Sequence, residues 1–311
     1  MAIDIPILSA ETVYKRQNPT LESFRRLLHH RSAQTGLILL SILLLIAIFA
    51  PLIAPFNPTL PLDNVARRSA PCIHFLGCPA DHSQHLMGID SNNRDLFSRI
   101  LFGSRLSLEI GVVTISFAII VGGFIGAVSG FWGGWLDTLT MRLMDILMAF
   151  PGLLLAIAIV SVLGPGLINA LLAIGIVTIP IYARVVRGSV LAIKNLEYVD
   201  ASRALGATRL RLVFTRVMPN ALTPLIVQGT LGIASAILNA AALSFLGLGA
   251  QPPTPEWGLM LGSESNSVFN APHLVFFPGL AIMVTVLSFN LLGDGLRDAL
   301  DPRLVHFNVK Q

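Results

Sequence analysis

Two cysteines, Cys72 and Cys78, stand with five residues between them beside His74, His82 and His85 in a proline-rich segment. Thiolate and imidazole at Cys-x-His and His-x-x-His spacing are donors that zinc or nickel accepts. The same cysteines could close a short turn as a disulfide in an oxidising compartment, or stay as free thiols. The disulfide is the simplest of the three readings, and no metal ligands are assigned. Nucleotide chemistry is easier to judge. A phosphate-binding loop needs Gly-Lys-Ser or Gly-Lys-Thr, whose backbone amides and lysine reach the phosphates. Lys15 follows Tyr14, Lys194 follows Ile193 and Lys310 follows Val309, so no such loop exists. No His-Glu-x-x-His motif or Ser-His-Asp constellation can be picked out either, which leaves a membrane enzyme without a recognisable centre. Glu109 and Asp145 fall near the ends of apolar stretches whose centres carry no charge. Ion-coupled carriers keep ionisable groups at mid-membrane, and the chain lacks them there.

The elements that must hold these residues are apolar. Of 311 residues, 54% are hydrophobic and 12% charged, and the mean hydropathy is +0.74. That excludes a disordered chain, a disulfide-rich secreted scaffold and a single soluble globule. Stretches free of Asp, Glu, Lys and Arg cover residues 32–62, 110–136, 146–183, 217–255 and 265–293. About 20 apolar residues span a bilayer, so each is long enough. The stretch 146–183 would run to about 57 Å as one helix, nearly twice the hydrocarbon thickness. It must turn, and Gly164-Pro165-Gly166 is the place, because proline cannot continue a helix and glycine accepts positive φ. The expected architecture is all-α, a polytopic membrane protein with six transmembrane helices at about 37–55, 107–130, 143–163, 167–187, 218–246 and 274–293.

Basic residues set the orientation. With the N-terminus inside, 16 of the 21 Lys and Arg residues fall on the inner side. The remaining five, Arg67, Arg68, Arg94, Arg99 and Arg105, share one outer loop at about 56–106 with Asp63, Asp81, Asp90 and Asp95. Both termini are expected in the cytoplasm: residues 1–36 as an N-terminal segment, 37–293 as the membrane domain, 294–311 as a tail. Residues 19–28 place Leu21, Phe24, Leu27 and Leu28 opposite Arg25 and Arg26, the pattern of an amphipathic helix on the inner membrane surface. The basic pI of about 9.5 belongs to this asymmetry. No aromatic-basic interleaving exists that would stack nucleic acid.

The inner loop at about 188–217 is too regular for a linker. It predicts a short helix capped by Asn195, with Tyr198, Ala201 and Leu205 on one face, a break at Gly206, and a second helix leading into span five. A small helix lined with small residues and projecting from the membrane suits docking into a cleft of another protein, and on geometry alone equally suits lying on the membrane surface.

These residues resemble a known pattern. Asp200-Ala201-Ser202, three residues, Gly206, then Met218-Pro219 is similar to the EAA signature of permease subunits of bacterial ABC-type importers, with Asp for Glu, Ser for Ala and Met for Leu. Gly88-Ile89-Asp90, the run Asn93 to Arg99, Gly103 to Leu108, Ala149-Phe150-Pro151, Leu243 to Gly249, Pro255 to Gly258 and Asn290 to Pro302 narrow the resemblance to the dipeptide, oligopeptide and nickel group, second permease type.

The resemblance implies a type I ABC importer permease fold and a non-catalytic subunit of the bacterial inner membrane. A second homologous permease, two cytoplasmic ATPases that hold ATP and Mg, and an extracytoplasmic solute-binding protein would complete the machine. No cofactor is expected on this chain. The docking residues it implies are Glu197, Tyr198, Asp200, Ala201, Ser202, Ala204, Leu205, Gly206 and Ala207. Di- or oligopeptides lead as substrates, with glutathione, nickel complexes or other small solutes as the alternative, and a stand-alone carrier or channel as the different class. Among polar residues within spans, Asn239 and Ser244 are expected to face the pathway. Trp132, Trp135 and Trp257 are read as an interfacial belt, and Asp145 as a partner of Arg142.

Overall fold

A computed structural model describes Leu28 and residues 30–79 and 83–300. The predicted amphipathic segment 19–28 and the C-terminal residues 301–311 lie outside the described residues, Leu28 excepted. The described chain is helical, with isolated bridges Cys72–His85 and Ile89–Asp95 as its only β pairing. The long helices are α1 (Arg31–Ile53), α2 (Leu96–Trp132), α5 (Leu167–Ile193), α7 (Arg209–Phe245) and α9 (His273–Leu300), each long and apolar enough to cross a bilayer. Between them lie α3 (Gly134–Met148), α4 (Gly152–Leu163), α6 (Glu197–Ala204) and α8 (Trp257–Glu264).

The expected third span at 143–163 is not one rod. Helices α3 and α4 meet at 92°, and the bend falls on Ala149-Phe150-Pro151. Proline has no N–H to donate and forces the residue before it out of the helical region. The turn at Gly164-Pro165-Gly166 is present, with φ of 90° at Gly164 and 151° at Gly166. Helix α2 begins at Leu96, earlier than the apolar count at 107, because Asp95 caps it by accepting from the Ser98 N–H at 2.8 Å. At 37 residues, α2 and α7 both exceed the bilayer's hydrocarbon thickness, so their first turns belong to polar surroundings.

The core is a seam of small residues between α2 and α5. Gly122, Gly126 and Gly130 recur every fourth residue on α2 and face Ile179, Ala183 and Val190 on α5. A Cβ on Gly122 would stand 2.6 Å from the Ile179 carbonyl oxygen. Lipid tails are as apolar as leucine, so helices in a bilayer associate through such close backbone approach. Tyr182 is fully buried at this seam and reaches α7, where Gly232 makes room for its hydroxyl. Helix α9 packs in the same way on α1, with Gly36 against Ser288 and Leu292, and Gly295 against Ala33.

The connection before α2 is knitted by ionic groups. Arg99 donates to the carbonyls of Pro58 at 2.7 Å, Pro253 at 3.2 Å and Thr254 at 3.3 Å. Asp90 accepts from Arg94 at 2.7 Å, and Glu264 from the Ser91 N–H at 3.0 Å. Buried charges persist where partners surround them. Here they fasten residues 58–99 to the segment that enters α8.

Candidate functional site

Helix α6 stands between two spans as a short, exposed element with a buried foot. Val199 is fully buried, as are Leu212, Val213 and Val217 on the first turns of α7. The Tyr198 hydroxyl accepts from the Asn220 side-chain amide at 3.1 Å and donates to the Arg216 carbonyl at 3.5 Å, tying α6 to α7. Residues Val213–Val217 form a π-helical turn, a local widening found often where a helix serves function.

The predicted break is present and can be specified. The Ala207 N–H donates to Ser202 at 3.1 Å and the Gly206 N–H to Arg203 at 3.0 Å, the paired bonds of a Schellman ending. Gly206 has φ of 86°, a conformation glycine adopts freely and β-branched residues do not. Thr208 then caps α7 by accepting from the Arg211 N–H at 3.4 Å. Asn195 does not cap α6: Leu196 holds that position and gives no side-chain bond.

The structure gathers the nine residues singled out in this segment, yet divides their tasks. Glu197, Asp200, Ala201, Ala204, Leu205 and Gly206 are exposed, with Leu205 at 89%. Asp200 accepts from Arg203 at 2.8 Å, one turn on, both in solvent. Ser202 turns its hydroxyl back to the Tyr198 carbonyl at 2.8 Å, and with Tyr198 and Ala207 it belongs to the support. Ser202, Leu205, Gly206 and Ala207 border a groove of about 480 Å³ whose other wall is Arg211, Leu212, Thr215 and Arg216. The exposed face of α6 thus carries an apolar Leu205, the Asp200 carboxylate and the rim of a groove.

Other expected site residues fall elsewhere. Cys72 and Cys78 are joined as a disulfide with Cα atoms 5.4 Å apart, and no cluster suited to a metal occurs among the described residues. His85 shares its ring nitrogens with Asp95 and Ser83, each at 2.9 Å, and stacks near Phe56. That serine, histidine and aspartate do meet, which their spacing in the sequence hid. His85 is buried and Asp95 also caps α2, so the trio fastens the loop.

Ser244 is buried and its hydroxyl oxygen accepts from the Ala250 N–H at 3.1 Å. It shapes the turn after α7. Asn239 is half-buried on α7, outside the apolar hollow of about 620 Å³ between α7, α8 and α9, whose one amide is Asn290. Trp257 is a core residue, 1% exposed, donating from Nε1 to the Ile100 carbonyl at 3.1 Å; a belt position fits Trp132 and Trp135 only. Asp145 pairs with Arg184 of α5, not with Arg142, because the bend at Pro151 lays α3 against α5.

Helix α8 had no signal in the periodicity, yet Pro255-Glu256-Trp257-Gly258 marks its start. Glu256 accepts from the Gly258 N–H at 3.0 Å and the Leu259 N–H at 2.7 Å. Burial pushes its carboxyl above the usual carboxylate range, against the pull of those two bonds and of Ser244.

Residues 112–306 match the family of binding-protein-dependent transport system inner membrane components, and residues 18–71 match the N-terminal transmembrane domain of oligopeptide transport permease C. The chain belongs to this family and is a permease subunit of an ABC importer. Among relatives, the dipeptide transport system permease protein DppC of Alkalihalophilus pseudofirmus is 45% identical over 94% of this chain and 93% of its own. The di/tripeptide transport system permease protein DppC of Pseudomonas aeruginosa is 46% identical over 92% and 93%. The glutathione transport system permease protein GsiD of Pectobacterium atrosepticum is 40% identical over 98% and 97%. Among solved structures, an inward-facing MetNI methionine ABC transporter aligns with a TM-score of 0.54 at 20% identity, covering 65% of this chain and 97% of that one. That likeness concerns the fold.

Proposed function

We propose that the chain imports di- or oligopeptides as one permease of a heterodimer, fed by an extracytoplasmic solute-binding protein and driven by two cytoplasmic ATPases that hold ATP and Mg. The observation that carries the reading is α6, an exposed helix with a buried foot joined by backbone to α5 and α7. Motion of an ATPase that grips Leu205, Asp200 and the groove would pass through Val199 and Tyr198 into both spans. The glycine seam between α2 and α5 resists absorbing it, as bistable packed interfaces do in switching proteins.

The basic residues around α6 support a cytoplasmic side for it and for both termini. The Cys72–Cys78 disulfide on the opposite connection fits an oxidising exterior. The peptide substrate rests on relatives named for dipeptides and di/tripeptides, and the glutathione relative supports γ-linked tripeptides as the second reading. Reconstitution of the complete complex in liposomes, with its binding protein outside and ATP inside, tests both. ATP-dependent uptake of a dipeptide that exceeds uptake of glutathione is the expected result; uptake of either by this chain without the ATPases would overturn the assignment.

A further inference from the structure

A second hollow adjoins the groove beside α6, sharing Ala207 and Leu212 with it. It measures about 380 Å³, and its walls include Phe131 and Trp132 at the end of α2, Lys194 after α5, Arg203 on α6, and Arg209 and Leu212 on α7. Three cations face it and no carboxylate lines it. Lys194 donates to the Gly130 carbonyl at 2.8 Å, covering the partly negative end of α2 that would otherwise repel an anion. That bond leaves its ammonium without a salt bridge, though Asp137 lies within its electrostatic reach. Nearby Asp137 is held by Arg187 through two bonds of 2.6 and 2.7 Å. Asp200 balances Arg203 from the solvent side, and Arg209 has no side-chain hydrogen bond or ion pair among the described residues.

The remaining wall is amphipathic. Phe131 and Trp132 meet edge-on at 5.4 Å, and Trp132 is 41% exposed, as an indole at a membrane interface is. Helix α3 begins directly beyond it, and Trp135, Leu139 and Leu143 form an exposed apolar stripe at four-residue spacing. Cations, an interfacial tryptophan and an adjoining apolar track together match a phosphate headgroup with its acyl chains. An acidic segment of a protein partner would match the cations alone.

We infer that Lys194, Arg203 and Arg209 bind the phosphate of an anionic phospholipid in the leaflet on the α6 side, with its acyl chains along Trp135, Leu139 and Leu143. The inference rests on the membrane placement that the family gives, not on the docking role of α6. A bound lipid at this position would touch α2, α3, α5, α6 and α7 at once, so it would stiffen the lever described above.

The test uses the full chain extracted from membranes with the subunits that accompany it. Native mass spectrometry would count bound lipid after incubation with equal amounts of phosphatidylglycerol and phosphatidylcholine, and separately with inorganic phosphate. Wild type should retain phosphatidylglycerol preferentially. Lys194→Gln with Arg209→Gln should lower its occupancy on the order of tenfold or more, since each basic group near a membrane surface contributes about fivefold. Arg105→Gln, at the other end of α2, should leave it unchanged, and Lys194→Arg should preserve it should the double variant fail to assemble. The inference is overturned if wild type shows no preference, if inorganic phosphate displaces the lipid, or if Lys194→Gln with Arg209→Gln loses ATPase subunits while lipid retention stays intact. ATPase co-purification and uptake are scored separately, so failure of lipid binding leaves the transport reading standing, and the reverse.

Discussion

Two residues carry the sharpest expectations, Gly206 and Glu256. A Cβ at Gly206 meets nothing within 4 Å, but its φ of 86° is strained for any β-branched residue. Gly206→Val should therefore distort the end of α6 at a cost of about 1–2 kcal/mol, while the protein still reaches the membrane because the position is exposed. Uptake should fall at least tenfold with near-normal abundance, and ATPase co-purification should fall with it. Asp200→Lys should act in the same direction by replacing the Asp200–Arg203 ion pair with two adjacent cations on the exposed side of α6. Full uptake in both variants would remove α6 as the coupling element. Glu256 responds to pH. Its folded-state value is raised by burial, so ionisation opposes folding. The protonated form's advantage is fully present below the unfolded value of about 4.3, and it is lost as pH rises through the higher folded value. Glu256→Gln keeps an acceptor for the α8 cap without the charge. Its melting temperature should vary less than wild type's between about pH 4 and pH 7; parallel profiles would show that burial of this carboxyl has no energetic consequence.

Among elements, the α2–α5 seam decides whether the bundle forms. A side chain at Gly126 would collide with the Ala183 carbonyl, and backbone cannot yield as a flexible side chain can. Gly126→Val should cut the yield of detergent-stable protein severely, an overpacking penalty of about 1–3 kcal/mol or more. Gly188→Ala, where a Cβ meets nothing within 4 Å, is the matched control on α5. Thermal midpoints of purified protein settle the comparison, and equal midpoints would mean that the seam is looser than its geometry. The same view explains the broken third span. Apolar counting reads 143–163 as continuous because Phe150 and Pro151 satisfy a hydropathy window, whereas hydrogen-bond accounting at Pro151 ends one helix and starts another at 92°.

At the scale of the whole molecule, orientation is the open variable, and cysteine chemistry reads it directly. Both native cysteines are in a disulfide, so new thiols report without background. Thr208→Cys should be labelled by a membrane-impermeant reagent only from the cytoplasmic side, and Asn266→Cys, exposed in the turn after α8, only from outside. Labelling of both from one side would overturn the proposed alternation of spans.

Apolar stretches, the glycine-proline-glycine turn, the charge asymmetry and the spacing of Asp200, Gly206 and Pro219 were legible in the sequence because each is local: hydropathy, φ freedom and short-range capping depend on a few neighbouring residues. The Gly122-Gly126-Gly130 repeat is equally local, but only the fold shows that it meets α5. What tertiary structure alone decided concerns partners distant in the chain. Arg184 rather than Arg142 neutralises Asp145, Trp257 bonds to Ile100 in the core instead of the interface, and Ser244 accepts from the Ala250 N–H to shape the turn after α7. Burying a polar group demands a partner wherever one can be found, and packing of the helices, which residue type does not encode, determines where that is.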